Sequence, residues 1–390
     1  MIYNFDEVID RSNNNSAKYE ETEAKFGKKD LIPMWIADMD FKTAEPIIDA
    51  LKSKAEQGIF GYTNRPDSYF DSVCSWLKKR HGWNVKSDWM IHTPGVVPAL
   101  SLIVKELTEK GDKIIVQPPV YYPFFRVVKD HGRELIFNPL KKTGSTYVMD
   151  YDDLEKKAKS GAKMLILCNP HNPIGRVWTK EELTKLGNIC LKYNIKVVSD
   201  EIHSDIIMKG NKHTPFASIS DEFCKNSITC IAPSKTFNLA GLQAAVIIMP
   251  DENDRKKIED ILGVLDIKRN NCFSVVATEA GYRYGEEWLE QLLKYINGNI
   301  EFVNEYCKKY IPNIKPNKAE GTYFVWLDCR ELHMNKKELH DFMINKAGIA
   351  FDDGYWFGIG GDGYMRMNAA CPMSVIRKSL ERLKKAVETI

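Results

Sequence analysis

Short apolar runs bounded by turn residues recur along the middle of the chain, at "KIIVQPP" (113 to 119), "KMLILCNP" (163 to 170), "IKVVSDE" (195 to 201), "SITCIAPS" (227 to 234) and "AAVIIMP" (244 to 250). Runs of this kind, apolar without alternation, predict strands covered on both faces and a largely parallel sheet. Between them the pattern switches to helical spacing. In "TKEELTKLGNICLKYN", Thr179 and Glu182 form a capping box, and Leu183, Leu186 and Cys190 share a face. Strand alternating with helix predicts an α/β unit whose ligands sit outside the carboxyl ends of the strands. The last third differs: helical segments lead to the strand-like "GTYFVWLD" and "GYMRMNAAC", then to an amphipathic helix in "SVIRKSLERLKKAVETI". A large domain over residues 46–285 and a smaller α+β domain from 1–45 and 286–390 are therefore expected.

Composition narrows the partners. A chain of 390 residues, 44% apolar and 28% charged, suits two packed domains. Its 55 basic and 53 acidic residues leave a formal charge of +2 with no long block of one sign, so neither nucleic acid nor a membrane surface is an expected partner. Small molecules are. The nine cysteines are odd in number and form no C-x-x-C pair, which predicts reduced thiols in a cytoplasmic setting. The first residues, "MIYNFDEVIDRSNNN", are acidic and polar where a signal peptide is basic and then apolar, so neither export nor membrane insertion is expected.

The candidate chemistry lies directly after the apolar runs, at Asn169, Asn172, Asp200 and Lys235. Taken singly, each is ordinary: an Asp after a strand usually caps a helix, and a lone Lys is usually solvated. The combination with "HTPGVVPAL" (92 to 100) changes the reading. There Gly95 allows a tight bend, Pro98 suits a first helical turn, and the free N–H groups of such a helix start make an anion site. A G-x-G-x-x-G at Gly358, Gly360 and Gly363 leads into a strand-like run, so it reads as a turn and not as a dinucleotide site. The run "DEIHSD" offers Asp200, Glu201, His203 and Asp205, but an extended chain turns alternate side chains apart, and no metal site is expected.

The order glycine turn, "NPHNPIG", Asp at a strand end, "SKTFNLAG" and the Arg of "YMRMN" resembles fold-type I pyridoxal-phosphate enzymes of the class I/II aminotransferase superfamily, from about Leu31 to Pro372. Within it, "IPMWIADMDF", "FGYTNRPDSYF", "PPVYYPFF", "SDEIHSDI" and "GYMRMNAACP" resemble the branch of cystathionine β-lyases and related C–S lyases, the MalY/PatB group. The resemblance implies an α/β fold with a large, mainly parallel-sheet domain, a smaller α+β domain, and pyridoxal 5'-phosphate as cofactor. It makes Lys235 the Schiff-base lysine and proton carrier, Asp200 the partner of the pyridine nitrogen, and Asn172 the partner of the phenolic oxygen. Tyr121 would lie against the ring and share the catalysis. Arg366 would take the substrate carboxylate. Tyr62 would reach the phosphate from a neighbouring subunit, implying a homodimer.

Three positions depart from the wider family. Ala232 and Gln243 replace a serine and an arginine that hold the phosphate, and His203 replaces a tyrosine, keeping a donor that could titrate. Phosphate anchoring then falls to the backbone of Gly95, Val96 and Val97, to Ser234 and to Tyr62. Trp35 and Asp38, with Asp40, lie in the branch-specific N-terminal segment, which is expected to close over the substrate side chain. The implied reaction is β-elimination from L-cystathionine or a related cysteine S-conjugate, giving a thiol, pyruvate and ammonia. An aminotransferase is the alternative within the superfamily, and a cofactor-binding regulator the more distant one.

Overall fold

The computed structural model describes residues 1–11 and 13–390. The five expected runs are strands, and two more join them: Met90–Thr93 (β1), Lys113–Val116 (β2), Glu134–Phe137 (β3), Ala162–Cys168 (β4), Lys196–Asp200 (β5), Ser227–Ile231 (β6) and Ala245–Ile248 (β7). They form one seven-stranded sheet in the order β1-β7-β6-β5-β4-β2-β3. β7 runs antiparallel to both its neighbours, while the remaining pairings are parallel. Six carboxyl ends therefore open on one rim. Every residue of β6 and β7 is buried, as a sheet clad on both faces requires. The two additional strands are the sheet's edges, and their patterns are weak for different reasons. β3 is only partly covered, and the four residues of β1 include His92 and Thr93.

Helices Glu45–Glu56 (α1), Val96–Leu107 (α2), Lys180–Lys192 (α3), Cys272–Tyr284 (α4), Glu286–Tyr310 (α5) and Met373–Val387 (α6) surround the sheets. α3 opens with the expected capping box, both halves formed, and buries Leu183, Leu186 and Cys190. A second, antiparallel sheet joins Lys315–Pro316 (β8), Phe324–Asp328 (β9), Asp352–Asp353 (β10) and Tyr364–Asn368 (β11) in the order β8-β9-β11-β10. Its register sets Arg366 between Trp326 on β9 and Asp352 on β10. Gly358, Gly360 and Gly363, with φ of 88°, 85° and 78°, form the turn that leads into β11, where a side chain would be strained.

The N-terminal segment closes against this smaller sheet. Ile32 and Pro33 pair in parallel with Ile349 and Ala350, and the Asn368 N–H donates to the Met34 carbonyl at 2.9 Å. One apolar core runs through Phe5, Met34, Trp76, Phe237, Trp288 and Met367, so it joins the N-terminal segment to helices and strands of both sheets.

The packing of α3 yields a test. Gly187 faces the Phe223 ring so closely that a Cβ there would lie 2.4 Å from the ring's Cζ, and Phe223 is itself stacked on Phe216 with centroids 5.1 Å apart. Gly187→Ala gains helix propensity of about 1 kcal/mol, but overpacking costs about 1–3 kcal/mol. A net loss of stability is expected in urea unfolding, partly recovered by adding Phe223→Leu. An unchanged midpoint for the single variant would show that the helix moves away without cost.

Candidate active site

β6 runs straight into the one-turn helix Pro233–Thr236, which carries Lys235 over the carboxyl rim of the sheet. Its Nζ donates to the Ala37 carbonyl at 2.7 Å. Burial pushes the ammonium down to about 8; the Arg366 charge acts in the same direction, while Asp38 and Asp200 oppose it. Asp200 is the last residue of β5. Burial pushes its carboxyl up to about 7, offset in part by the Ile202 N–H, which donates at 3.1 Å. A base just past β6 and an acid at the end of the adjacent parallel strand β5 thus share one buried recess, each drawn toward neutrality.

The loops after β2 and β4 are locked together beside them. His171 donates through Nε2 to the Pro119 carbonyl at 2.9 Å, and burial holds its pKa at about 4, so the ring is neutral. Arg176 clamps the same loop through Glu182 at 2.6 Å and Glu320 at 3.0 Å. The clamp fixes Asn172, whose Oδ1 accepts from Arg366 Nη1 at 2.9 Å. Arg366 also donates to the Trp35 carbonyl at 2.9 Å, pairs with Asp352, and lies 4.0 Å over the Phe324 ring. Arg366 is therefore held from four segments at once: the Asn172 loop, the Trp35 segment, β10 and β9.

Gly95, Val96, Val97, Tyr121, Asn172, Asp200, His203, Ser234 and Lys235 line one cavity of about 200 Å³, together with Ala37, Cys168 and Ile202. Arg366, Trp35 and Asp38 line a second, of about 670 Å³, which meets the first at Tyr121 and Lys235. Tyr62 lines neither and is 93% exposed, with the Arg269 guanidinium 5.3 Å from its ring. Asn169 points elsewhere and donates to the Thr214 carbonyl. Tyr323 and Arg11 also reach the site, and no sequence motif marked them. The Tyr323 hydroxyl donates to the Ala37 carbonyl at 3.0 Å. Asp352 had a faint signal, as one of two adjacent acids inside the apolar "GIAFDDGYWF".

Two expectations need correction. Gly95 has φ 178°, extended backbone that any residue adopts, so no tight left-handed bend explains it. His203 does not titrate near neutrality: burial, then the charges of Lys235 and Arg366, hold its pKa far below the usual value, and its ring packs edge-on to Tyr323 and Phe324. Asp38 is paired with Arg11 at 2.8 Å, its side chain still 22% exposed. The other acids of "DEIHSD" point to separate partners. Glu201 accepts from Ser199, His213 and the Phe216 N–H. Asp205 accepts from Trp76, His81 and Thr236.

A pyridine ring carrying a phosphate fits these residues. Asp200 is a buried carboxyl that accepts from the Ile202 N–H and has no ion-pair partner among the described residues, so it is short of a cation, and a protonated ring nitrogen is one. The start of α2 opens on the cavity with no side-chain cap on its free N–H groups, an anion cradle. Ala232 is buried and contributes no hydroxyl, so Ser234 is the side chain beside that cradle.

A lysine on the carboxyl rim of a mainly parallel sheet, facing a buried aspartate and an uncapped helix start, defines an α/β protein of fold type I. The family model for aminotransferase class I and II matches residues 29–383, and the chain belongs to that family. Cystathionine beta-lyase PatB of Bacillus subtilis (strain 168) is 44% identical over 385 residues, covering 98% of this chain and 100% of that protein. A PLP-bound structure from Clostridium difficile 630 that carries the name of an aminotransferase has a TM-score of 0.98 and 55% identity, covering 99% of this chain and 100% of the other. Cystalysin from Treponema denticola, which contains a pyridoxal 5'-phosphate cofactor, has a TM-score of 0.97 and 40% identity, with 100% of both chains covered. The likeness to PatB and cystalysin puts this chain in the MalY/PatB branch.

Asp200 makes the stability of the ligand-free protein depend on pH. Its pKa in the folded state, about 7, lies above the ordinary 3.8, so the folded form binds the proton more tightly and loses stability as pH rises from about 4 to 7. Protein stripped of bound ligand and carrying Asp200→Asn is expected to melt above the stripped parent at pH 8, with the gap closing as pH falls toward 5. Equal melting temperatures across that range would show that the carboxyl is solvated.

Proposed function

We propose that this chain is a pyridoxal-5'-phosphate-dependent C–S β-lyase, cleaving L-cystathionine or another cysteine S-conjugate to a thiol, pyruvate and ammonia. The observation that carries this reading is the full-length likeness to PatB, joined to a site in which Lys235 stands where a cofactor cavity meets a substrate cavity. Bound there, the cofactor supplies an electron sink for negative charge at the substrate Cα. The remaining work belongs to side chains.

Arg366 fixes the α-carboxylate with its planar guanidinium, which Phe324 and Asn172 hold in place. Asp200 presents the negative charge that keeps a ring nitrogen protonated. Asn172 and His203 offer polar contacts along the ring, and Tyr121 covers a face of it. Lys235 takes the Cα proton, for which an ammonium pKa near 8 suits a base at neutral pH. The Cβ–S bond then breaks and its electron pair leaves with sulfur. Burial holds the Tyr121 hydroxyl well above the usual range, so it is a reluctant acid, whereas Lys235 now carries a proton matched to a thiol. Lys235 therefore protonates the departing sulfur, and the aminoacrylate released is hydrolysed to pyruvate and ammonia.

A homodimer accompanies this reading. Ile59 (76% exposed), Phe60 (56%) and Tyr62 (93%) form an uncovered apolar edge, which a second copy would cover while bringing Tyr62 to its phosphate. No helix among the described residues is long and apolar enough to cross a membrane. Nine free cysteines, most of them buried, suit a reducing cytoplasm. The aminotransferase reading keeps one supporting observation, the name borne by the Clostridium difficile neighbour.

Two measurements decide between them. Purified yellow protein, given L-cystathionine and no keto acid, is expected to release pyruvate and thiol in equal and sustained amounts; a halt after one equivalent, relieved only by a keto acid, would make it an aminotransferase. Lys235→Ala should lose the cofactor's visible lysine-bound absorbance and several orders of magnitude of turnover, and retained turnover would remove Lys235 from its role.

A further inference from the structure

Five charged side chains line the larger cavity among the described residues: Lys235, and two oppositely charged pairs, Arg366 with Asp352 and Arg11 with Asp38. The pairs differ in burial. Arg366 and Asp352 have side chains 3% and 1% exposed, while those of Arg11 and Asp38 are 16% and 22% exposed, open enough to meet a ligand. Asp40, two residues on, is 6% exposed, is tied to Lys18 at 2.8 Å and Arg11 at 2.7 Å, and does not line the cavity. The backbone of Asp38 is fixed too, because its carbonyl accepts from Asn368 Nδ2 at 2.7 Å. A carboxylate and a guanidinium are thus held side by side on the wall of the substrate cavity, and no contact with the reacting atoms is assigned to either.

We infer that the Arg11–Asp38 pair is the recognition element for the far end of the substrate side chain, and that the ligand it selects is an S-conjugate ending in an α-ammonium and an α-carboxylate. The inference rests on the lyase reading above. The far ammonium meets Asp38 and the far carboxylate meets Arg11, each in the low-dielectric wall where a charge without a partner is costly. Charge balance supplies the specificity. The wall pairs are neutral together, so a zwitterionic end leaves them neutral, whereas a side chain ending in a lone carboxylate brings one negative charge too many beside Asp38 and Asp352.

The test separates the two charges. We would measure kcat/KM for L-cystathionine, S-aminoethyl-L-cysteine, whose far end is an ammonium alone, and S-carboxymethyl-L-cysteine, whose far end is a carboxylate alone, in the parent and in Asp38→Asn. The variant is nearly isosteric, and Asn still accepts from Arg11. Asp38 also acts on the Lys235 charge, so any change at the reacting atoms is shared by all three substrates and cancels in their ratios. Asp38→Asn is expected to lower the first two substrates about tenfold relative to the third. A parallel fall of all three would overturn the inference. Calorimetric binding of the same compounds to cofactor-loaded Lys235→Ala, with and without Asp38→Asn, gives a readout free of turnover: cystathionine alone among cystathionine and S-carboxymethyl-L-cysteine should weaken by about tenfold. Equal weakening would again overturn it. If the parent cleaves none of the three substrates, the lyase reading fails first, which is a different outcome from cleavage with unchanged ratios.

Discussion

Burial of two ionisable groups in one recess, without full partners, is the condition around which this molecule is arranged. Lys235 and Asp200 sit at the ends of adjacent strands, and the same desolvation pushes one pKa down and the other up. An isolated buried charge is unfavourable by several kcal/mol, so the surrounding structure must be rigid enough to keep both groups from escaping to solvent. The chain meets that need with elements remote in sequence: the Ala37 carbonyl receives Lys235, and Tyr323 steadies that carbonyl.

The supporting network works by the opposite rule. Behind the recess, Asp205 is as buried as Asp200 but accepts from Trp76, His81 and Thr236, and its carboxyl stays below the usual range. Thr236 is the residue after Lys235, so a fully satisfied carboxylate anchors the turn that presents an unsatisfied amine. Arg366 is likewise held in place through its two Nη groups, by Asp352, Asn172 and the Trp35 carbonyl, while its Nε is left without a partner among the described residues. Satisfied polar groups provide position, and the groups left wanting provide reactivity.

Much of this was readable in the sequence because it is local. Runs buried on both faces announce themselves by composition, and the residues that follow them fall on the rim by topology alone, which is how Asp200, Asn172 and Lys235 stood out. Edge strands β1 and β3 did not: β3 is only partly covered, and β1, though buried, spends two of its four residues on His92 and Thr93, so neither has a continuous apolar run. Gly95 was misread because glycine is permitted in many conformations and its presence does not say which is used. His203 was misjudged because its burial, not its residue type, fixes its charge. Arg11 was invisible for a different reason: its partners lie nearly thirty residues away, and pairing across a cavity leaves no periodic trace.

The parallel pairing of Ile32–Pro33 with Ile349–Ala350 joins the two ends of the chain, and Asp38 and Lys235 are brought together only beneath that clasp. Its consequence concerns biosynthesis. A ribosome delivers residues 32 to 38 first and their strand partners almost last, so the floor of the recess exists long before its roof. During most of translation the segment that carries Asp38 hangs unpaired, and it is clasped only once its partner strand in the last part of the fold has been made.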